Sequence, residues 1–70
     1  MEELVNELQK EAEQGLAGAQ LSLAICYYEG VGVEIDVTQA VHWFKKAAEQ
    51  GDVDAQENLA FIEEEGLTQL

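Results

Sequence analysis

Residues 12–15, Ala-Glu-Gln-Gly, occur again as residues 48–51, so the same tetrapeptide returns after 36 positions. The register extends to both sides of it. The further pairs of identical residues at this spacing are Val5 and Val41, Lys10 and Lys46, Ala19 and Ala55, Gln20 and Gln56, Leu23 and Leu59, Ala24 and Ala60, Glu29 and Glu65, Gly30 and Gly66. A fixed period of about 20–50 residues is typical of solenoids, whose repeats stack on one another. The sequence therefore predicts a short solenoid.

Each period has the pattern of two helices. The chain has no Pro, and its many Ala, Leu, Glu and Gln residues favour helix. Gly15 and Gly51 end helical runs, and Asp36 and Asp52 are candidate N-cap residues. The predicted helices cover residues 2–14, 17–29, 37–50 and 53–65. The expected fold class is all-α.

The stretch from residue 19 to residue 51 resembles the Sel1-like repeat family, which is related to the tetratricopeptide repeats. The residues that carry the resemblance are Ala19, Leu23, Ala24, Tyr27, Gly30, Gly32, Val33, Asp36, Ala40, Trp43, Phe44, Lys46, Ala47, Ala48, Glu49, Gln50 and Gly51. The resemblance implies a right-handed α-solenoid of about four antiparallel helices. It divides the chain into an N-terminal capping helix (1–15), one complete repeat (16–51) and a C-terminal half-repeat (52–70).

Both ends of the chain depart from the repeat pattern. Polar residues stand there at positions that the complete repeat fills with Trp, Tyr, Gly or Val: Glu7, Glu63, Thr68 and Gln69. Terminal repeats with polar outer faces are typical of finite solenoids. We interpret the two flanking segments as caps.

Composition limits the classes of partner. The net charge is −12, with three lysines and no arginine among 70 residues, so binding to nucleic acid phosphates or to anionic membranes is not expected. Cys26 is the only cysteine, which excludes an internal disulfide. The first residues do not resemble a signal peptide. We therefore expect a cytoplasmic protein of one domain.

No residue set indicates catalysis, a metal or a cofactor. His42 is the only histidine, and Cys26 lies in an apolar run that predicts a buried, unreactive thiol. Asp52, Asp54 and Glu63 have the spacing of positions 1, 3 and 12 of a calcium loop, but the glycine required at position 6 is missing. The expectation is a protein that is not an enzyme and needs no cofactor.

The family resemblance implies that the first helix of each repeat lines a concave, partner-binding face. On this basis the candidate partner-binding residues form an apolar floor with an acidic rim. They are Leu21, Ile25, Tyr28, Glu57, Phe61, Glu64 and Glu65. A peptide or an amphipathic helix with basic residues near its anchors suits such a groove.

Three functions remain open from the sequence. The first is a protein-interaction module or adaptor that binds a peptide or helix. The second is an acidic inhibitor or immunity-type protein that occupies a basic site on an enzyme or a nucleic-acid-binding protein. The third is a structural repeat fragment or an engineered minimal solenoid, and self-association would be a further use of the same apolar stripe.

Overall fold

The computed structural model describes residues 2–66, and in that range the chain forms four α-helices and no strand. They are α1 (Glu2–Glu13), α2 (Ala17–Glu29), α3 (Val37–Glu49) and α4 (Val53–Glu65). α2 packs against both α1 and α3, and α4 packs against α3. The prediction of an all-α solenoid is confirmed, with every helix boundary within one residue of its expected place. The division into caps and one complete repeat stays a prediction, and Thr68 and Gln69 lie outside the described residues.

Aspartate side chains begin α3 and α4 as predicted. Asp36 Oδ1 accepts a hydrogen bond from the Gln39 backbone N–H at 3.1 Å, and Asp52 Oδ1 accepts one from the Ala55 N–H at 2.8 Å. Each bond satisfies one of the backbone donors that a helix leaves unpaired at its start. Local sequence therefore determines where these two helices begin.

Gly30 ends α2 in a conformation that favours glycine. Its φ of 76° lies in the left-handed region, and its N–H donates to the Cys26 carbonyl at 2.8 Å. A Cβ at this position would lie 2.8 Å from Ile35 Cγ1. The turn after α2 thus depends on a residue without a side chain.

Leu16 occupies the N-cap position of α2, where its side chain makes no capping hydrogen bond. The matching position before α4 is Asp52, whose side chain caps that helix. Leu16 already has extended backbone angles, with φ −76° and ψ 114°. α2 therefore begins with backbone angles that suit an N-cap residue, but no described side chain accepts a hydrogen bond from its first N–H groups.

Leu16→Asp is expected to stabilise the protein by about 1 kcal/mol, since it supplies the missing acceptor. The melting temperature should rise by about 4–8 °C for a domain of this size. Leu16→Asn should give a similar gain without adding charge, whereas Leu16→Ala should not. Equal melting temperatures for the Asp, Asn and Ala variants would contradict the capping explanation.

The core lies between the helices, and α3 supplies its centre. The largest fully buried side chains are Phe44, Leu23 and Ile62. Small buried residues allow the helix axes to approach closely. They are Ala12, Ala19, Ala24, Ala40, Ala47 and Ala55. Trp43 is also buried, and its Nε1 has no hydrogen-bond partner within residues 2–66.

Two apolar residues on the outermost helices are exposed. Ala60 matches Ala24, which is 0% exposed, yet Ala60 itself is exposed. Leu4 on α1 is 52% exposed. No further helix covers the outer side of α1 or α4 in the described part of the chain. The same residue at the repeat spacing is therefore buried only where a neighbouring helix covers it.

None of the four described helices is long and apolar enough to cross a membrane.

Candidate functional site

The predicted apolar floor on α2 is partly used for internal packing. Leu21, Ile25 and Tyr28 are half-buried and pack against the core. The Tyr28 ring meets the Phe44 ring edge-on, with centroids 6.5 Å apart and an interplanar angle of 69°. Tyr28 therefore helps to join α2 to α3, and only its solvent-facing part remains for a ligand.

Phe61 on α4 is the most accessible of the predicted apolar residues. Its side chain is 52% exposed. Glu57, Glu64 and Glu65 are also exposed. They stand four residues before Phe61, and three and four residues after it, so they lie beside its ring on one face of the helix. The structure thus places an aromatic side chain within a group of carboxylates.

Negative charge dominates the surface around this group. Fourteen of the fifteen acidic residues are exposed, and Asp52 is the half-buried exception. Glu63, Glu64 and Glu65 stand in the last turn of α4, where their charge opposes the helix dipole. A cationic ligand near this end would therefore reduce the repulsion.

The candidate catalytic and metal residues have structural explanations. Burial raises the pKa of the Cys26 thiol, and the nearby Glu29 carboxylate raises it further, which keeps the thiol protonated and weakly nucleophilic. His42 is exposed, and its ring lies edge-on to the Trp43 ring with the two ring centroids 4.9 Å apart. The segment with calcium-loop spacing is the helix α4, and Asp52 serves as its N-cap. A twelve-residue calcium loop cannot form there.

A network of glutamine hydrogen bonds that joins α1, α2 and α3 was not predicted from the sequence. Gln20 is 4% exposed, and its Nε2 donates to the Ala12 carbonyl at 3.1 Å. Gln50 Nε2 lies 2.9 Å from both Gln20 Oε1 and the Gly15 carbonyl, so its amide group joins the end of α3 to α2 and to the α1–α2 turn. The identity of Gln20 and Gln56 at the repeat spacing is the one signal that could have indicated it.

Part of the same network recurs 36 residues later, between α4 and α3. Gln56 Nε2 donates to the Ala48 carbonyl at 3.1 Å, as Gln20 does to Ala12, 36 positions earlier. Gln56 is exposed. The described residues contain no counterpart of Gln50 that donates to Gln56 Oε1 or to the Gly51 carbonyl. Both Gln56 and Gly51 are exposed.

Comparison with protein families and curated sequences gives consistent matches. The model of the Sel1 repeat matches residues 17–52. The chain is 38% identical over 56 residues to the ERAD-associated E3 ubiquitin-protein ligase component HRD3A of Arabidopsis thaliana, covering 79% of this chain and 8% of that protein. It is 42% identical over 43 residues to the secretory immunoglobulin A-binding protein EsiB of Escherichia coli, covering 61% of this chain and 9% of that protein. The chain thus spans less than a tenth of each relative.

A solved structure shows the same arrangement of helices. The crystal structure of a Sel1 repeat protein from Oxalobacter formigenes superposes with a TM-score of 0.86 at 37% sequence identity. The match covers 89% of this chain and 26% of that protein. Sequence and structure therefore lead to the same family.

Proposed function

This chain belongs to the Sel1 repeat family, whose repeats mediate protein–protein interaction, and we propose that it binds a peptide or a helix of another protein at the Phe61 face of α4. We define this face as Phe61 with Glu57, Glu64 and Glu65. Ile25, at the position in α2 that matches Phe61, is half-buried. No catalytic step is part of the proposal.

The exposed Phe61 ring is the observation that carries this proposal. A large aromatic side chain that is 52% exposed leaves apolar surface in water, and its burial by a partner is favourable. Aromatic residues with apolar surroundings and a polar rim are common centres of binding energy. Phe61 would therefore supply most of the affinity.

The carboxylates around Phe61 favour one kind of ligand. A peptide with an apolar anchor flanked by Lys or Arg would complement both the ring and the charges. Exposed charges contribute mainly to the association rate and to the choice of partner. We propose such a basic amphipathic segment as the ligand.

The relatives support binding without identifying this chain's partner. One relative is named as a component of a ubiquitin ligase, and another as a protein that binds secretory immunoglobulin A. The chain matches only 8% and 9% of their lengths. The common element is the repeat, so the class of function is proposed here and the partners of those proteins are not.

Phe61→Ala is expected to weaken the binding of a peptide ligand by about 2 kcal/mol, or roughly 30-fold. The ligand would be selected from a random displayed peptide library on the wild-type protein. Its dissociation constant would then be measured by isothermal titration calorimetry. Loss of the apolar anchor should raise the dissociation constant with little change in fold.

Leu4→Ala is the matched control, because Leu4 is 52% exposed like Phe61 but lies on α1. This variant should bind the selected peptide with unchanged affinity. Equal affinities of Phe61→Ala and wild type would place the binding site elsewhere. If the library yields no specific peptide, the proposed function is wrong.

The net charge of −12 favours a second candidate, an acidic inhibitor of a protein with a basic site. The two functions differ in their response to salt. An interface dominated by exposed charges weakens strongly as ionic strength rises, whereas one anchored by Phe61 changes little. A dissociation constant that rises steeply with salt and is insensitive to Phe61→Ala would favour the inhibitor.

A further inference from the structure

The outer face of α4 repeats a surface that α3 covers on α2. We define this outer face by Gln56, Leu59, Ala60 and Glu63. The residues of α2 at the same repeat positions are half-buried or fully buried under neighbouring helices: Gln20, Leu23, Ala24 and Tyr27. Their counterparts on α4 are exposed or half-buried. The way in which α3 binds α2 therefore shows what kind of ligand would fit α4.

The hydrogen bonds specify a donor. Gln50 Nε2 lies 2.9 Å from both Gln20 Oε1 and the Gly15 carbonyl. The same pair of acceptors recurs as Gln56 Oε1 and the Gly51 carbonyl. Because Gln56 is held by its own bond to Ala48, its amide group is oriented in the same way as that of Gln20. A ligand that carries a side-chain N–H₂ group can join this pair of acceptors.

The packing specifies a helix with a narrow apolar face. Ala40, Phe44 and Ala47 are buried in α3, and their spacing of four and three residues places them on one face of the helix. Phe44 meets Tyr28 on α2. Gln50 follows at the end of the same helix. A ligand for α4 would therefore be a helix with small residues at the positions that match Ala40 and Ala47. It would carry a hydrogen-bond donor at the position that matches Gln50, ten residues after the position of Ala40.

The charges specify a basic residue in place of Phe44. Tyr28 of α2 corresponds to Glu64 of α4, and Tyr27 corresponds to Glu63. An apolar ring opposite these carboxylates would bring no compensation for their charge. A Lys or Arg at this position would pair with Glu64 and would also interact favourably with the end of the helix dipole.

A second copy of this chain fits the same face poorly. Its α1 would bring Gln14 as the donor, but it would place Glu11 where α3 has Ala47, which is 0% exposed. Burying that carboxylate would be costly without a cation. Leu8, which matches Phe44, would bring no charge to pair with Glu64. Charge therefore favours a basic partner over head-to-tail stacking.

From these observations we infer that the outer face of α4 binds a basic helix of another protein. This helix has Ala at two contact positions, with Lys or Arg between them. It ends with a Gln side chain that donates to Gln56 Oε1 and the Gly51 carbonyl. This inference goes beyond the Phe61 face. The two surfaces share Glu64, but the ligand helix lies on Gln56, Leu59, Ala60 and Glu63 and requires no contribution from Phe61.

The probe for this inference is a synthetic, Ala-rich helical peptide of about 18 residues, long enough to form a helix. It carries Ala, Lys, Ala and Gln at positions i, i+4, i+7 and i+10. A second peptide has Met in place of Gln. Titration by fluorescence polarisation should show that the wild-type protein binds the Gln peptide on the order of five- to tenfold more tightly than the Met peptide.

Gln56→Met should show a smaller preference for the Gln peptide, because only the Gly51 carbonyl then remains as an acceptor. Gln39→Met is the matched control: Gln39 is exposed on α3, and its side chain makes no bond in the network, so the preference for Gln should persist. Thermal melts would first establish that each variant is folded. A preference that is unchanged in Gln56→Met, or an absence of saturable binding to wild type, would overturn the inference.

Two further measurements separate this inference from its alternatives. Phe61→Ala should leave the preference for the Gln peptide intact. If it abolishes binding of both peptides, they occupy the Phe61 face, which would overturn the inference and leave the proposed function standing. Sedimentation that shows self-association of wild type, lost in Gln56→Met, together with no peptide binding, would identify a second copy as the ligand and would also overturn it.

Discussion

Replacing Phe44 with alanine is expected to lower the free energy of unfolding by about 3–5 kcal/mol. Phe44 is 1% exposed and is among the largest fully buried side chains, and its ring packs edge-on against Tyr28. Its removal leaves a cavity between α2 and α3 in addition to the lost burial. A domain of this size is stabilised by only about 4–10 kcal/mol, so the substitution should remove a large part of its total stability.

Phe61→Ala provides a matched control for this prediction. The substitution is the same, but Phe61 is 52% exposed on the outermost described helix. Its cost should be below about 1 kcal/mol, because much less surface is returned to water. Urea unfolding followed by circular dichroism measures both. Similar midpoints for the two variants would show that α3 does not hold the centre of the core.

Gln20→Met is expected to cost about 1–3 kcal/mol, although methionine is close to glutamine in size and is a good helix former. The Gln20 amide donates to the Ala12 carbonyl and accepts from Gln50. Methionine would remove both of these hydrogen bonds. The Ala12 carbonyl would keep the Gly15 N–H as a donor at 3.0 Å, and Gln50 would keep the Gly15 carbonyl as an acceptor. The cost is therefore that of two hydrogen bonds, each worth about 0.5–1.5 kcal/mol.

The same substitution at the matching position tests this explanation. Gln56→Met removes a bond to the Ala48 carbonyl, but Gln56 is exposed, so water can replace the lost partner. Its cost should be below about 1 kcal/mol. If both variants lose the same stability in urea unfolding, burial of the network is not what stabilises the contact of α2 with α1 and α3.

Local signals explain why the helices could be predicted. Asp36 and Asp52 begin helices through bonds to backbone N–H groups three residues on, and Gly30 ends one in the left-handed region. These effects act within a few residues and need no tertiary contact. The repeat spacing then predicted how successive helices pack.

The candidate site could be predicted only in part. Phe61 and its neighbouring glutamates are exposed, as a binding surface requires, and their role stays a prediction. Tyr28 was expected on the same open floor, but its ring packs against Phe44. Helical spacing places a residue on a face of its helix without determining how much of that face a neighbouring helix covers.

The sequence alone determined the helices, their order, the period of 36 and the family, because these follow from caps, turns and the spacing of apolar residues. Tertiary structure alone decided which of two matching residues is buried. Ala24 and Ala60, like Gln20 and Gln56, are identical in sequence and differ in exposure. The physical reason is that burial depends on the neighbouring helix: α3 covers α2, whereas in the described residues no helix covers the outer face of α4.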